Sequence, residues 1–247
     1  MGLRLLDSQA RREFLRRPEL PSFVATYRDL QSRGVSFSAV VDVGANRGEW
    51  SRELHAFFPK ARILMVEPQP GLRNQLSEAS ETLDGQAVCA HCLLGASVRE
   101  NVPFEILDDG QGGSGSSLFP ENSNVPRHVE HLPMTTLDRL LQDLNFPPPD
   151  FLKIDTQGSE IEVLKGAKKT LASVECVALE VSTWPFNLGA PLLPDVLAWM
   201  SAAGFVTHDL CGVHRLPDGR LCQMDLLFVR AASRLRSHVK VAFGPRR

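Results

Sequence analysis

The sequence predicts a mixed α/β fold built on an open, mostly parallel sheet, and three observations lead to that expectation. Two stretches, residues 40–50 and 151–167, follow one pattern: a short apolar run ends in an acid, the backbone turns at glycine, and apolar residues of helical period follow. Between and after them, further apolar runs alternate with helix-like segments, the order of a parallel sheet with crossover helices. The last two strand-like runs are instead joined through Pro217-Asp218-Gly219, which makes them an antiparallel pair.

At 247 residues the chain is long enough for one α/β domain that buries roughly 70 to 75% of its unfolded surface. Hydrophobic residues make up 43% and charged residues 23%, which excludes a disordered chain. The formal net charge of -2 argues against a general nucleic-acid binder. The first twenty residues carry five arginines and no long apolar core. They predict neither a signal peptide nor a membrane span, and a cytoplasmic location is expected. Five cysteines form no disulfide framework. Cys89-Ala90-His91-Cys92 falls in a predicted strand, where residues three apart point to opposite faces, so buried free thiols are expected there.

Taken in order, residues 3–17 and 23–33 are predicted helices separated by Pro18 and Pro21, placed to cover a sheet edge or the ligand crevice. The first strand ends at Asp42 and Val43, and its helix carries Trp50, Leu54, Phe57 and Phe58 on one face. Pro59 stops that helix. Residues 62–67 read as a buried strand closed by Glu67 and Pro68, 71–81 as a polar helix, and 86–93 as the third strand. Residues 102–107 predict an extra strand. Residues 108–117, with four glycines and three serines, predict either a mobile surface loop or a lid over the acceptor that ends at Ser116-Ser117-Leu118. Thr135 and Asp138 have capping-box spacing for a helix through Leu144. The fourth strand ends in Asp155, Gly158 allows the turn, and Ser159 with Glu162 predicts a second capping box for a helix bearing Ile161, Leu164, Ala167 and Leu171. The strand period puts Lys153 and Asp155 on one face, where a buried lysine needs a partner. Residues 176–181 predict a fifth strand with Glu180 near its end. Residues 192–203 follow as an amphipathic helix closed by Gly204, and 205–210 and 221–229 as the terminal hairpin. The tail, with Arg234, Arg236, Lys240, Arg246 and Arg247, reads as solvated.

The ligand of the first turn follows from charge. A dinucleotide fingerprint would need glycine at 44, 46 and 49, whereas the chain has Gly44, Asn46 and Glu49. Glu49 and Asp42 would bring carboxylates towards a pyrophosphate. S-adenosylmethionine (SAM) has no phosphate and carries an ammonium and a sulfonium, which carboxylates can pair with. Asp42, Gly44, Asn46 and Gly48 are therefore expected to bind SAM. Glu67 lies 23 residues after Gly44, near the spacing of about 20 at which a strand-ending acid takes the ribose hydroxyls. Leu94, in the loop after the third strand, is expected to wall the adenine. Asp155, at its strand tip beside the methyl group, is expected to serve both cofactor and catalysis.

With these stretches in place, the sequence resembles the FkbM-type SAM-dependent methyltransferases. The matching residues are VVDVGANRGEWS at 40–51, MVEPQP at 65–70, TTLD at 135–138, FLKIDTQGSEIEVLKGA at 151–167, ALEVS at 178–182 and DGRLCQMDLLFVR at 218–230. The resemblance implies a Rossmann-like seven-stranded methyltransferase sheet, mostly parallel with a terminal antiparallel hairpin. It also implies methylation of a hydroxyl on a sugar, glycolipid or polyketide-type small molecule. The domain is expected over residues 38–230, with an N-terminal helical extension at 1–37 and a basic tail at 231–247. Asp155 and Glu180 are the expected catalytic residues; failing Asp155, the base would be Glu180 or a loop histidine such as His128. Two alternatives stay open: a magnesium-assisted O-methyltransferase using Asp155 and Glu180, and a non-catalytic binding module. No metal is expected in the favoured reading. An amino methyltransferase of nucleic-acid bases is disfavoured, because the fourth strand ends in Asp155-Thr156-Gln157-Gly158 and lacks an Asn/Asp-Pro-Pro-aromatic motif. Oligomeric state and the acceptor's identity have no motif.

Overall fold

The computed structural model describes residues 20–108 and 114–236. The expected helix over 3–17, the middle of the Gly/Ser connection and the tail beyond residue 236 lie outside the described residues.

Seven strands form the main sheet: β1 (Ala39–Val43), β2 (Arg62–Val66), β3 (Ala87–Ala90), β7 (Phe151–Ile154), β8 (Cys176–Ser182), β9 (Phe205–Arg215) and β10 (Leu221–Arg230). Their order is β3-β2-β1-β7-β8-β10-β9. The first five run parallel, and β10 is antiparallel to both β8 and β9. The predicted sheet and terminal hairpin are therefore present. All five residues of β1 are buried, as befits a central strand covered on both faces.

Strand parity assigns the two faces. Val41, Val43, Leu64, Val66, Leu152, Ile154 and Leu179 pack with α4 (Leu137–Asp143), α5 (Glu160–Lys165) and α7 (Leu193–Ala202). Val40, Ile63, Met65, Phe151, Ala178 and Leu227 pack on the other face, against α1 (Phe23–Ser32), α2 (Glu49–Phe57) and α3 (Arg73–Glu81). Helix α1 is part of this second core. Its Tyr27 is fully buried, with ring neighbours Phe23, Trp50, Phe57 and Phe58.

Four local expectations need correction. The predicted third strand divides: Ala87–Ala90 pairs with β2, whereas Leu93–Leu94, here β4, pairs with β6 (Arg127–Thr135). With β5 (Arg99–Leu107), these make a second sheet of order β4-β6-β5. Strand β6 was not expected, because only Met134 of its nine residues is buried and Pro133 reads against a strand. The helix expected from Ser159 to Leu171 breaks at Gly166, whose missing side chain makes room for the Gly95 carbonyl, 2.1 Å from where a Cβ would stand. A separate α6 (Lys168–Ser173) follows, and Asp138 accepts from its Lys169 and Thr170 amides at 2.7 and 2.9 Å. Neither predicted capping box forms: Thr136 caps α4 through the Arg139 amide, and Ser159 makes no side-chain cap. Among the described residues, no helix is long and apolar enough to cross a membrane.

Candidate active site

The carboxyl ends of β1, β2 and β7 border a cavity of about 370 Å³, within the size range of small-molecule sites. It lies at the switch point of the sheet, where β1 has β2 on one side and β7 on the other. Gly44 sits at φ +74°, and a Cβ there would stand 1.8 Å from the Asp155 carbonyl oxygen. Only glycine lets the two strand-end turns meet.

Of the residues predicted from sequence, Gly44, Asn46, Glu67, Leu94 and Asp155 line the cavity, whereas Asp42, Gly48 and Glu180 do not. Gly48 is instead a packing position, its absent Cβ facing Ala79 at 2.9 Å and the Met65 sulfur at 3.2 Å. Glu67 is 3% exposed; its two oxygens accept from the Asn46 amide at 2.9 Å and the Gln69 amide at 3.0 Å. Burial raises its pKa, with the two amides pulling the other way. The Gln69 side chain is a third donor, which leaves about one of the carboxylate's roughly four lone-pair sites.

Strand parity also explains the polar row on the α1–α2 face. Asp42 pairs in register with Lys153, Asp155 lies two residues beyond Lys153, Glu180 pairs with Asp225, and Asp225 with Gly212. The buried Lys153 ammonium lies 3.2 Å from Asp42 and 3.4 Å from Asp155. It also sits 3.4 Å from the Gly44 carbonyl. Burial alone would lower the Lys153 pKa, but Asp42 and Asp155 outweigh it and the value is raised. The Asp42 carboxylate, fully buried, accepts from the Ser51 hydroxyl at 2.7 Å on its other oxygen. It is therefore turned towards Lys153 and Ser51, away from the cavity. Asp155 keeps 30% of its side chain exposed.

Beyond Asp155 the row continues away from the cavity. The Gln157 amide nitrogen donates to both Asp155, at 3.0 Å, and Glu180. Gln223 donates to the same Glu180 oxygen at 2.9 Å. The gap in which Asp155 and Glu180 were to share magnesium is thus bridged by an amide. Burial, followed by Asp155 and Asp225, pushes Glu180 well above the usual carboxylate range. His214 is hydrogen-bonded to Asp225 at 3.0 Å and lies 4.0 Å from Glu180. Gly212 provides the seat for Asp225, a Cβ there falling 2.1 Å from the carboxylate. Among the described residues, Glu180, His214 and Asp225 are the set that could hold a metal ion, their ligand atoms all within 4.8 Å of one another. His128 is no loop residue: it is in β6, paired with Asp108 at 2.8 Å, and does not line the cavity. The Cys89 and Cys92 thiols are free; burial raises both, the Cys92 thiol to about 11.

Sequence reasoning missed Phe104 of β5 and Gln69, which line the cavity; Ser114 and Ser116, from the connection expected to be a loop or a lid, line it too. The Gln157 signal was a non-glycine residue in a glycine turn, where it adopts φ +54°. Gln223 and Asp225 lay within the last matched motif but carried no periodic mark of a site.

Comparison with known proteins gives the family and the fold. The family model of the methyltransferase FkbM domain matches residues 42–207. The hexuronic acid methyltransferase AglP of Haloferax volcanii is 29% identical over 142 residues, covering 57% of this chain and 54% of that protein. Methyltransferase 1 of Beauveria bassiana is 27% identical over 147 residues, covering 52% of this chain and 58% of that protein. The matches thus span little more than half the length of these curated relatives. The structure of magnesium protoporphyrin IX methyltransferase from Synechocystis PCC 6803 with bound SAM aligns with a TM-score of 0.50 at 12% identity, over 85% of this chain and 78% of that one. At that identity the likeness is one of fold.

Proposed function

Because the chain belongs to the FkbM methyltransferase family, we propose that it transfers a methyl group from SAM to a hydroxyl of a small molecule, a sugar, glycolipid or polyketide-type metabolite. The observation that carries this reading is one cavity bordered by three carboxylates, Glu49, Glu67 and Asp155, with Glu67 buried after β2 and Asp155 part-exposed after β7. Such a cavity suits a ribose and a cationic sulfonium and disfavours a pyrophosphate. The resemblance to a hexuronic acid methyltransferase supports a sugar among the acceptors.

When bound, SAM supplies an electrophilic methyl on a good leaving group. Glu67 would take the ribose hydroxyls, the Gly44–Asn46 turn would carry the methionyl part, and Leu94 would wall the adenine. Most of the acceleration would come from orienting the acceptor hydroxyl for in-line attack. Asp155 orients the acceptor hydroxyl and takes its proton as the new bond forms, a contribution of roughly 10² to 10⁴-fold. Lys153 holds the Asp155 carboxylate in place, Asp42 acts through Lys153, and Glu180 acts through Gln157. Residues 38–230 form the catalytic unit in this reading, and α1 completes its core.

A screen of hydroxylated metabolites with methyl-labelled SAM, read by mass spectrometry, should find an acceptor that gains one methyl. With it, folded Asp155→Asn should lose roughly 10² to 10⁴-fold in turnover, while calorimetry shows its affinity for S-adenosylhomocysteine unchanged. Normal turnover would remove Asp155 from the mechanism. The Glu180–His214–Asp225 cluster favours a second reading, a metal-assisted transfer. Activity that survives a chelator supports the metal-free mechanism; loss with chelator and recovery with added magnesium or manganese would replace it.

A further inference from the structure

Just past the carboxyl end of β8 stands a wall that has no part in the chemistry above. The residues after β8 pair with the chain that returns from β5: the Asn122 amide donates to the Phe186 carbonyl at 2.8 Å, and the Leu188 amide to the Pro120 carbonyl at 2.7 Å. This ribbon is fixed to the turn after Asp155. The buried Ser117 hydroxyl donates to the Gln157 carbonyl at 2.7 Å. Gly158 lets the ribbon approach, since a Cβ there would stand 2.6 Å from that of Ala190. On its other side the ribbon is tied to β10, where the Thr183 amide donates to the Cys222 carbonyl at 2.8 Å and its hydroxyl to the Leu221 carbonyl at 2.9 Å.

Trp184 stands on this fixed backbone and is 41% exposed. The Arg220 guanidinium covers one face of its ring, 4.9 Å from the centroid. Asp218 holds that guanidinium by accepting from two of its nitrogens, at 2.7 and 2.8 Å, and both side chains are about half exposed. Because β10 runs antiparallel to β8, the turn that carries Asp218 and Arg220 lies at the same end of the sheet as the cavity. The cluster offers an open aromatic face beside a hydrogen-bond donor and a carboxylate acceptor. A pyranose ring matches that set, with an apolar face of C–H groups rimmed by hydroxyls. Trp184 does not line the cavity, so a ligand that touches both Trp184 and Asp155 reaches beyond it.

Resting on the acceptor reading above, we propose that Trp184, Arg220 and Asp218 form a carbohydrate subsite and that the acceptor is a glycan of more than one sugar unit. One unit presents its hydroxyl at Asp155. A neighbouring unit stacks on the open face of Trp184, with Arg220 and Asp218 meeting its hydroxyls. Trp184 is then a specificity-determining residue. It touches no reacting atom, so its loss weakens acceptor binding and leaves the transfer step intact. A single sugar bound at Asp155 makes no use of it.

The test measures glycan binding and methyl transfer separately on the full chain, the first with and without S-adenosylhomocysteine, the second with methyl-labelled SAM. The probes are a panel of neutral, amino and uronic di- and trisaccharides and the methyl glycosides of their single sugars. Wild type should bind a longer glycan that Trp184→Ala binds roughly tenfold or more weakly. Trp184→Tyr should restore most of that affinity, and Arg220→Ala should lose a smaller part of it. On the glycan that wild type methylates, Trp184→Ala should raise KM by the same factor with kcat unchanged, while the two chains use the single sugar equally. No glycan bound by wild type, equal affinity in Trp184→Ala, or a fall in kcat with KM unchanged would overturn the proposal. So would a Trp184→Ala chain that keeps its glycan affinity but changes its sedimentation, which would assign the exposed ring to a second copy. If wild type bound a glycan through Trp184 but bound no S-adenosylhomocysteine, the subsite would stand and the cofactor reading would have failed, a different result.

Discussion

Replacing Lys153 by Met tests the physical basis of the site most severely. The lysine is 8% exposed and is the cation next to Asp42, which is fully buried. Methionine fills a similar volume but leaves Asp42 with only the Ser51 hydroxyl as a hydrogen-bond donor from a side chain. Breaking a buried pair from one side strands a desolvated charge and costs about 3 to 5 kcal/mol. That is a large share of a typical domain stability of about 5 to 15 kcal/mol. Urea unfolding at neutral pH should therefore show a midpoint shifted well down with the slope unchanged. The double variant Lys153→Met, Asp42→Asn should recover most of the loss, since it removes the stranded charge; an additive effect would argue against direct coupling. A single variant within about 1 kcal/mol of wild type would refute the claim that Lys153 and Asp42 form a desolvated pair. Asp155, more exposed, would then need another explanation for its orientation.

Two further substitutions probe separate parts of the site. Glu67→Ala should weaken S-adenosylhomocysteine by about 1.5 to 3 kcal/mol in calorimetry; unchanged affinity would leave Glu67 a staple between the Asn46 and Gln69 amides and nothing more. Glu180→Gln keeps the shape and removes a carboxylate that burial, Asp155 and Asp225 hold well above its usual range. A carboxyl group whose folded pKa is raised stabilises below its unfolded value, and that contribution is lost as pH rises through the folded one. The variant should thus gain thermal stability relative to wild type as pH rises from about 4.5, the ordinary value, through the raised folded one. A gap that narrows with rising pH would contradict the assigned electrostatics.

Much of the sheet was legible because central parallel strands leave strong marks. β1 and β7 are short, fully buried runs that end at an acid and a glycine turn, and their register puts Asp42 beside Lys153 as the strand period requires. The same marks located Gly44, Glu67 and Asp155 at the cavity. The direction of the Asp42 side chain was not legible: strand parity gives a face, while Ser51 nine residues on and Lys153 across the sheet decide what the carboxylate meets. Strand β6 was hidden because an exposed strand with charged residues on both faces carries no apolar alternation. The break at Gly166 was equally hidden, since its cause is a carbonyl seventy-one positions earlier, at Gly95. His214, Asp225 and Gly212 come together only through antiparallel register in the terminal hairpin. Sequence spacing does not encode that meeting.

The most direct measurement is titration of the purified chain, in parallel calorimetric runs, with S-adenosylhomocysteine and with NAD. The cavity pairs Glu67 and Asp155 with a glycine turn whose third fingerprint position is Glu49, an arrangement that favours a ribose and a sulfonium and repels a pyrophosphate. The account predicts saturable binding of S-adenosylhomocysteine at one site and none of NAD. Tight NAD binding, or no heat with S-adenosylhomocysteine, would contradict it.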